Sequence, residues 1–226
     1  MRRLIISLTA VLLVLIPLRA DEQLADVYFS CENTEKRIAL TFDDGPHYKY
    51  TAEILDILKE YNIKATFFVV GQLAERYPDL ILREISEGHE VASHTWSHAH
   101  LTLLSDKSLE DEISATEDLL YELAEYRPTL LRPPEGKYGE NLLRVAGKLD
   151  YEVILWTVDT RDWAHTPTDK IVETVLNNTE SGSIILCHDF IGGESPTPDA
   201  LRQFIPKLIE NGYEFVTVSD LIFSVE

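Results

Sequence analysis

The sequence predicts an α/β fold, a (β/α) barrel of about seven parallel strands, and three observations predict it. Short apolar runs alternate along the chain with longer stretches whose apolar residues recur at helical spacing. The runs are almost uninterrupted, without the in-out alternation of a half-exposed strand, so both of their faces are buried, as in parallel strands covered by helices. The number of strand-helix units suits a barrel better than a doubly wound sheet, and 226 residues are enough to build one.

The units follow in order. Strand Arg37–Phe42 precedes a helix over Thr51–Tyr61, where Ile54, Leu55 and Leu58 share a face. Strand Ala65–Val70 precedes helix Asp79–Glu87, which Gly88 stops, and strand Glu90–Ser93 precedes the long helix Leu109–Tyr126. Strands Leu130–Arg132 and Val153–Val158 lead to helices Glu140–Leu149 and Thr168–Asn178. Strand Ser183–His188 leads to helix Asp199–Asn211, stopped by Gly212, and Glu214–Val218 is the last strand. No internal repeat or low-complexity linker divides the chain, so one domain is expected over 37–226, after a polar lead-in at 21–36.

Residues 1–20 read as a secretory signal peptide: Met1-Arg2-Arg3, the apolar run Leu4–Leu18, then Arg19-Ala20. The rival reading is an uncleaved membrane anchor, kept because Leu18 fits a cleavage site imperfectly, although the run is shorter than the roughly 20 residues of a spanning helix. Either reading places the rest of the chain outside the cytoplasm, secreted or at the cell envelope, and limits membrane contact to this segment. The net charge is −19, and −22 without the three arginines of 1–20. So acidic a surface repels polyanions and excludes a nucleic-acid partner. Cys31 and Cys187 are the only cysteines, too few for a disulfide framework or a cysteine-only zinc site. Two free, buried thiols are expected in preference to a pair.

Five reactive clusters sit at strand ends, where barrels gather their chemistry. In Thr41-Phe42-Asp43-Asp44-Gly45-Pro46, one carboxylate suits a metal and the other suits a proton, although turns also favour Asp and Gly. In Ser93–His100, His94 and His98 are four apart, so on a helical turn they share a face and offer two imidazoles to one ion. With Asp44 they make a two-His, one-carboxylate set, in which His100 competes with His98. In Leu131–Gly136 the two prolines have no N–H, leaving Glu135 and Gly136 as oxyanion donors and Arg132 as a partner for a carboxylate. Asp159-Thr160-Arg161-Asp162-Trp163 ends a further strand. In Ile184–Asp189, Leu186 and His188 face one side and Cys187 the other.

Taken together, TFDDGP, HTWSH, RPPEG, DTRDW and LCH, in this order between about Arg37 and Val218, resemble the five signatures of the polysaccharide deacetylases. These are the NodB-homology domains of carbohydrate esterase family 4. The resemblance implies a distorted barrel and a metal-dependent hydrolase that removes N-acetyl groups from N-acetylglucosamine-type sugars of peptidoglycan, chitooligosaccharide or a similar polymer. It implies Asp43 as general base, Asp44, His94 and His98 as metal ligands, Arg132 as the partner of Asp43, and Asp162 as the residue that orients the general acid His188. Trp163 and Leu186 line the acetyl pocket by the same resemblance. Zn2+ is the first candidate ion, and Co2+, Ni2+ and Fe2+ also suit the ligand set. Glu135 departs from the family, which often has an aromatic residue there; its N–H still serves an oxyanion, but the sugar-facing contact changes. Acetylxylan esterase activity on the same constellation, and an inactive carbohydrate-binding protein, are the alternative readings.

The residue types suit amide hydrolysis. Water must be activated, an oxyanion stabilised and a poor leaving nitrogen protonated, which calls for separate groups. Burial alone lowers the pKa of His188, whereas the charge of Asp162 raises it, and the charge is expected to win.

Overall fold

The computed structural model describes residues 23–32 and 35–223, so the predicted signal peptide lies outside the described residues. The chain enters with β1 (Val27–Tyr28), within the expected lead-in, and β2 (Arg37–Asp43). Helix α1 (Tyr50–Glu60) leads to β3 (Thr66–Val69), the short α2 (Gly71–Arg76), α3 (Pro78–Ser86) and β4 (Glu90–Ser93). Next come α4 (Asp106–Ala124), β5 (Leu130–Leu131), α5 (Glu140–Lys148), β6 (Glu152–Ile154) and β7 (Val158–Asp159). Helix α6 (Thr168–Asn178), β8 (Ile184–His188), α7 (Thr197–Glu210), β9 (Glu214–Val216) and α8 (Val218–Phe223) complete the fold.

The strands pair in parallel in the order β1-β6-β5-β4-β3-β2-β8-β7, with β9 beside the first half of β2, and the sheet curls into a half-barrel. The expected strand Val153–Val158 is two strands, and the reason locates the seam of the barrel. Leu155 N–H donates to Tyr28 O (2.7 Å), whereas Thr157 N–H donates to Ile184 O (3.1 Å). Within two residues the chain therefore leaves one end of the sheet and joins the other. Local pattern registers a single apolar run because both halves are buried. The strand expected at Glu214–Val218 stops at Val216, and Val218 opens α8. Helix α2 has only six residues and starts on a glycine, so no periodicity announces it.

Strand alternation decides what each side chain meets. Ile38, Leu40 and Phe42 of β2, with Ile185 and Cys187 of β8, point outwards into the main core, against Ile54, Leu55 and Leu58 of α1 and Leu201, Phe204 and Ile205 of α7. Each such fully buried side chain contributes about 1.5–3 kcal/mol. The opposite parity, including Ala39, Phe68, Ala92, Leu130, Ile154 and Ile184, fills the concave side, together with Leu221 and Ile222 of α8. Thr41 and Asp43, and Leu186 and His188, continue that inner parity towards the open mouth. Both thiols are free; Cys187 is buried as expected, but Cys31 is only half-buried. Gly88 and Gly212 adopt left-handed φ of 79° and 84° after α3 and α7, the conformation that suited them to stop those helices.

Candidate active site

The five clusters meet at the C-terminal ends of the strands. Asp43 is the register partner of His188 on β8, which brings residues far apart in sequence side by side. Asp43 is buried, and its Oδ1 accepts from Arg132 Nη1 at 2.7 Å. Arg132 is wholly enclosed: Nη1 also donates to Thr41 Oγ1, Nε to Ile154 O and Nη2 to Leu155 O, while the guanidinium lies 4.0 Å from the Phe68 ring centroid. Carbonyls and a carboxylate replace the water that a buried cation loses.

Asp44 follows at φ 72°, a left-handed turn that swings its carboxylate into the same mouth instead of across the sheet. The histidines approach it from β4, but not from one turn of helix as expected: residues 94–98 are irregular, and the turns come from Thr95 (φ 70°) and His98 (φ 57°). His94 Nε2 and His98 Nε2 lie 3.4 and 3.2 Å from Asp44 Oδ1. His94 Nδ1–H donates to Arg132 O at 2.7 Å, which fixes the tautomer and turns the Nε2 lone pair towards Asp44. Burial would raise the Asp44 pKa, but the contacts with His94 and His98 and the charge of His188 hold it well below the usual carboxylate range.

Asp44, His94 and His98 each offer one ligand atom, all within 4.8 Å of one another, and they are the only such group among the described residues. Asp44 Oδ1 is buried and close to both imidazoles, yet among the described residues it accepts no well-directed hydrogen bond. A donor set of two imidazoles and a carboxylate, with that oxygen at its centre, fits a divalent cation. His100 stands apart: its exposed ring is 3.5 Å from the Glu135 carboxylate.

Of the two N–H groups in the proline loop, Gly136 N–H is used internally, donating to Pro133 O at 2.9 Å. Among the described residues Glu135 N–H meets no backbone acceptor, and Glu135 takes φ 59°. The Glu135 carboxylate pairs with Lys137 Nζ at 2.6 Å, and both residues line the cleft.

On the far wall, His188 Nδ1–H donates to Asp162 Oδ1 at 2.7 Å, and His188 N–H donates to Asp162 Oδ2 at 2.8 Å. Thr197 Oγ1 and Trp163 N–H complete the shell of Asp162 at 2.6 and 2.9 Å. Burial would lower the pKa of His188, but the hydrogen bond and charge of Asp162, aided by Asp43 and Asp44, push it up to about 9. The sign expected from the sequence holds. Asp162 responds in the opposite sense: burial raises its pKa, and His188 and Thr197 outweigh that and keep it ionised.

The cleft between these walls has a volume of about 440 Å3. Trp163, 48% exposed, and buried Leu186 line it, as do Trp156, Asp159 and Lys137. Sequence reading passed over Trp156 and Thr197. Trp156 had a signal, an aromatic residue near the end of a strand pattern, whereas Thr197 is one hydroxyl among many until it is seen on Asp162.

A parallel half-barrel with two carboxylates, an Asp–His pair and an Asp-His-His cluster at its C-terminal mouth defines a hydrolase of the α/β-barrel class. The chain belongs to the polysaccharide deacetylase family, whose model matches residues 31–154. It is similar to a peptidoglycan-N-acetylglucosamine deacetylase of Bacillus cereus, 41% identical over 194 residues, 85% of this chain and 70% of that protein. It is 43% identical to the peptidoglycan-N-acetylmuramic acid deacetylase PdaC of Bacillus subtilis over 83% of this chain but 39% of that longer protein. The crystal structure of the Bc1960 peptidoglycan N-acetylglucosamine deacetylase superposes with a TM-score of 0.86 at 39% identity, covering 90% of this chain and 95% of that one. The family match ends before Asp162 and His188; the structural similarity extends over most of the chain.

Proposed function

We propose that this chain is a metal-dependent deacetylase that hydrolyses the acetamide of N-acetylglucosamine-type units in peptidoglycan or a chitin-like oligosaccharide, acting outside the cytoplasm. Residues 37–226 form the catalytic domain, and residues 1–20 direct its export. The observation that carries the reading is the pairing of Asp43 with His188 across adjacent strands, at the mouth that also gathers Asp44, His94 and His98. The names of the relatives support the substrate class.

A divalent cation held by Asp44, His94 and His98, with Zn2+ the first candidate, would supply Lewis acidity towards the acetyl carbonyl and acidify water. Asp43, held by Arg132 from behind, accepts the proton of the attacking water. Glu135 N–H donates to the developing oxyanion; losing such a donor typically costs ~3–4 kcal/mol of barrier. Trp163 and Leu186, which line the cleft, confine the acetyl methyl group. His188 carries its acidic proton on Nε2, because Nδ1 is committed to Asp162, and delivers it to the departing nitrogen. Since base and acid occupy paired positions on β2 and β8, one substrate can meet both without moving.

The test uses the full chain. After treatment with a chelator and restoration with Zn2+, acetate release is measured on N-acetyl chitooligosaccharides, peptidoglycan and acetylated xylan. Release from the first two that depends on Zn2+ is expected. Equal rates with and without metal, or release from acetylxylan alone, overturn the proposal.

A further inference from the structure

Behind the turn that carries Asp44 lies a buried carboxylate with no part in the chemistry above. Asp189 follows His188 and is 1% exposed. Strand alternation sends its side chain away from the cleft, under Gly45. The approach is so close that a β-carbon on Gly45 would stand 2.0 Å from Asp189 Oδ2 and 2.3 Å from Oδ1. Only glycine admits the carboxylate at this position, so this side chain accounts for the glycine of the Asp-Asp-Gly-Pro turn.

The same residue fastens both ends of the turn. Asp189 N–H donates to Asp43 O at 3.2 Å. Its Oδ2 accepts a short hydrogen bond from Thr51 Oγ1, the first turn of α1. Thr51 Oγ1 in turn accepts from His47 N–H at 2.6 Å. Residue 43 is thereby tied to the Asp189 backbone and residue 47, through the Thr51 hydroxyl, to its side chain, while Gly45 O is held by Val70 N–H at 2.9 Å. Asp44 lies inside this enclosure at its left-handed φ of 72°. A lone aspartate gains little from that conformation in a free loop, so neighbouring contacts must over-determine it.

The surroundings suit an acceptor under load. Among the described residues Asp189 Oδ1 has no hydrogen-bond partner, and neither do the two oxygens of Glu84, a wholly buried acid of α3 whose pKa is raised by burial and by the charge of Asp189. Arg83, its neighbour in sequence, reaches Ala52 O at 3.2 Å, so this part of α3 lies against the first turn of α1 where Thr51 sits.

From this geometry we infer that Asp189 is a positioning residue: acting through Thr51 and Gly45, it holds the Asp44 turn in the one conformation that presents Oδ1 to the imidazoles of His94 and His98. The inference rests on reading Asp44 as a metal ligand and adds what sets that ligand in place. It requires an acceptor oxygen at position 189 and a donor hydroxyl at position 51, and no negative charge as such.

The experiment compares the full chain with Asp189→Ala, Asp189→Asn, Thr51→Val, Thr51→Ser and Asp44→Asn. Zn2+ affinity is measured by chelator competition, the Co2+-substituted forms by their visible spectra, and the apo proteins by thermal unfolding. Asp189→Ala and Thr51→Val should weaken Zn2+ binding about 10–100-fold, the range for outer partners of metal ligands, and alter the Co2+ spectrum. Asp189→Asn and Thr51→Ser, which keep the acceptor and the hydroxyl, should recover affinity to within about threefold of the parent. A lower apo melting temperature with unchanged Zn2+ affinity and Co2+ spectrum marks a purely structural part and overturns the inference. If Asp189→Ala does not fold, Thr51→Val decides, and parental Zn2+ affinity there overturns the inference. Should Asp44→Asn bind Zn2+ as the parent does, the ligand reading fails and takes this inference with it. If only Asp44→Asn loses the ion, the ligand reading stands and the inference alone falls.

Discussion

Two buried acid–cation pairs flank the cleft, and they face it in opposite senses. On β2 the carboxylate of Asp43 is at the mouth and the cation, Arg132, is behind it; on the wall of β8 the imidazole of His188 is at the mouth and the carboxylate, Asp162, is behind it. Each hidden partner is wholly buried and saturated by neighbours: Arg132 by Thr41 and two carbonyls, Asp162 by Thr197 and two N–H groups. One device, reversed, yields a group suited to accept a proton beside a group suited to donate one. Because the two members at the mouth are register partners, their spacing is set by the sheet and not by a loop.

The comparison is broken most severely at its proton acceptor. Asp43→Asn keeps the shape and should leave Zn2+ binding intact while turnover falls about 10^2–10^4-fold, whereas His94→Ala should lose both; acetate release and chelator competition separate the outcomes. Arg132→Met attacks the hidden cation on the same side. It leaves Asp43 as an uncompensated buried charge and should destabilise the fold by about 3–5 kcal/mol in denaturant unfolding at pH 7. Less than 1 kcal/mol would mean that the pair is not the unit described here.

Asp162→Asn attacks the hidden acid on the other side. In the parent, activity should fall as pH rises through about 9, where His188 loses its proton. Without the carboxylate, burial dominates, and the alkaline limb should move to or below the ordinary histidine value near 6.5. Stability follows the same sign. The raised His188 pKa stabilises the fold fully below about 6.5, and that contribution is lost as pH rises through about 9, to the extent of about 3 kcal/mol. Asp162→Asn should flatten the curve in that window, as measured by unfolding at several pH values. The smallest effect sharpens the comparison: Thr197→Val removes one of several hydrogen bonds to Asp162, should cost about 1–3 kcal/mol, and should move the alkaline limb less than Asp162→Asn does.

Much of this was legible in the chain itself. Arg37–Phe42 and Ser183–His188 announce buried strands because both of their faces are apolar, and the structure extends β2 by one residue and starts β8 one residue later. The reactive residues were legible as clusters at strand ends, and as the motifs of a family. Position 135 shows where pattern falls short. A departure from the family is visible in sequence, but only the tertiary structure shows that its side chain pairs with Lys137 on the cleft wall while Gly136 N–H is consumed within the loop. The helical turn expected for His94 and His98 was a local inference from spacing, and two left-handed residues replaced it.

The sequence alone determined the order of most strands and helices, the shared face of Leu186 and His188, and the inventory of groups able to bind a cation or move a proton. Those properties depend on neighbours a few positions away, over which periodicity acts. Tertiary structure decided that the run 153–158 crosses a seam, that Arg132 stands behind Asp43, and that Asp189 reaches under Gly45 to Thr51. Each of these joins segments distant along the chain, and such contacts are fixed only when register, core packing and the desolvation of buried charges are satisfied together.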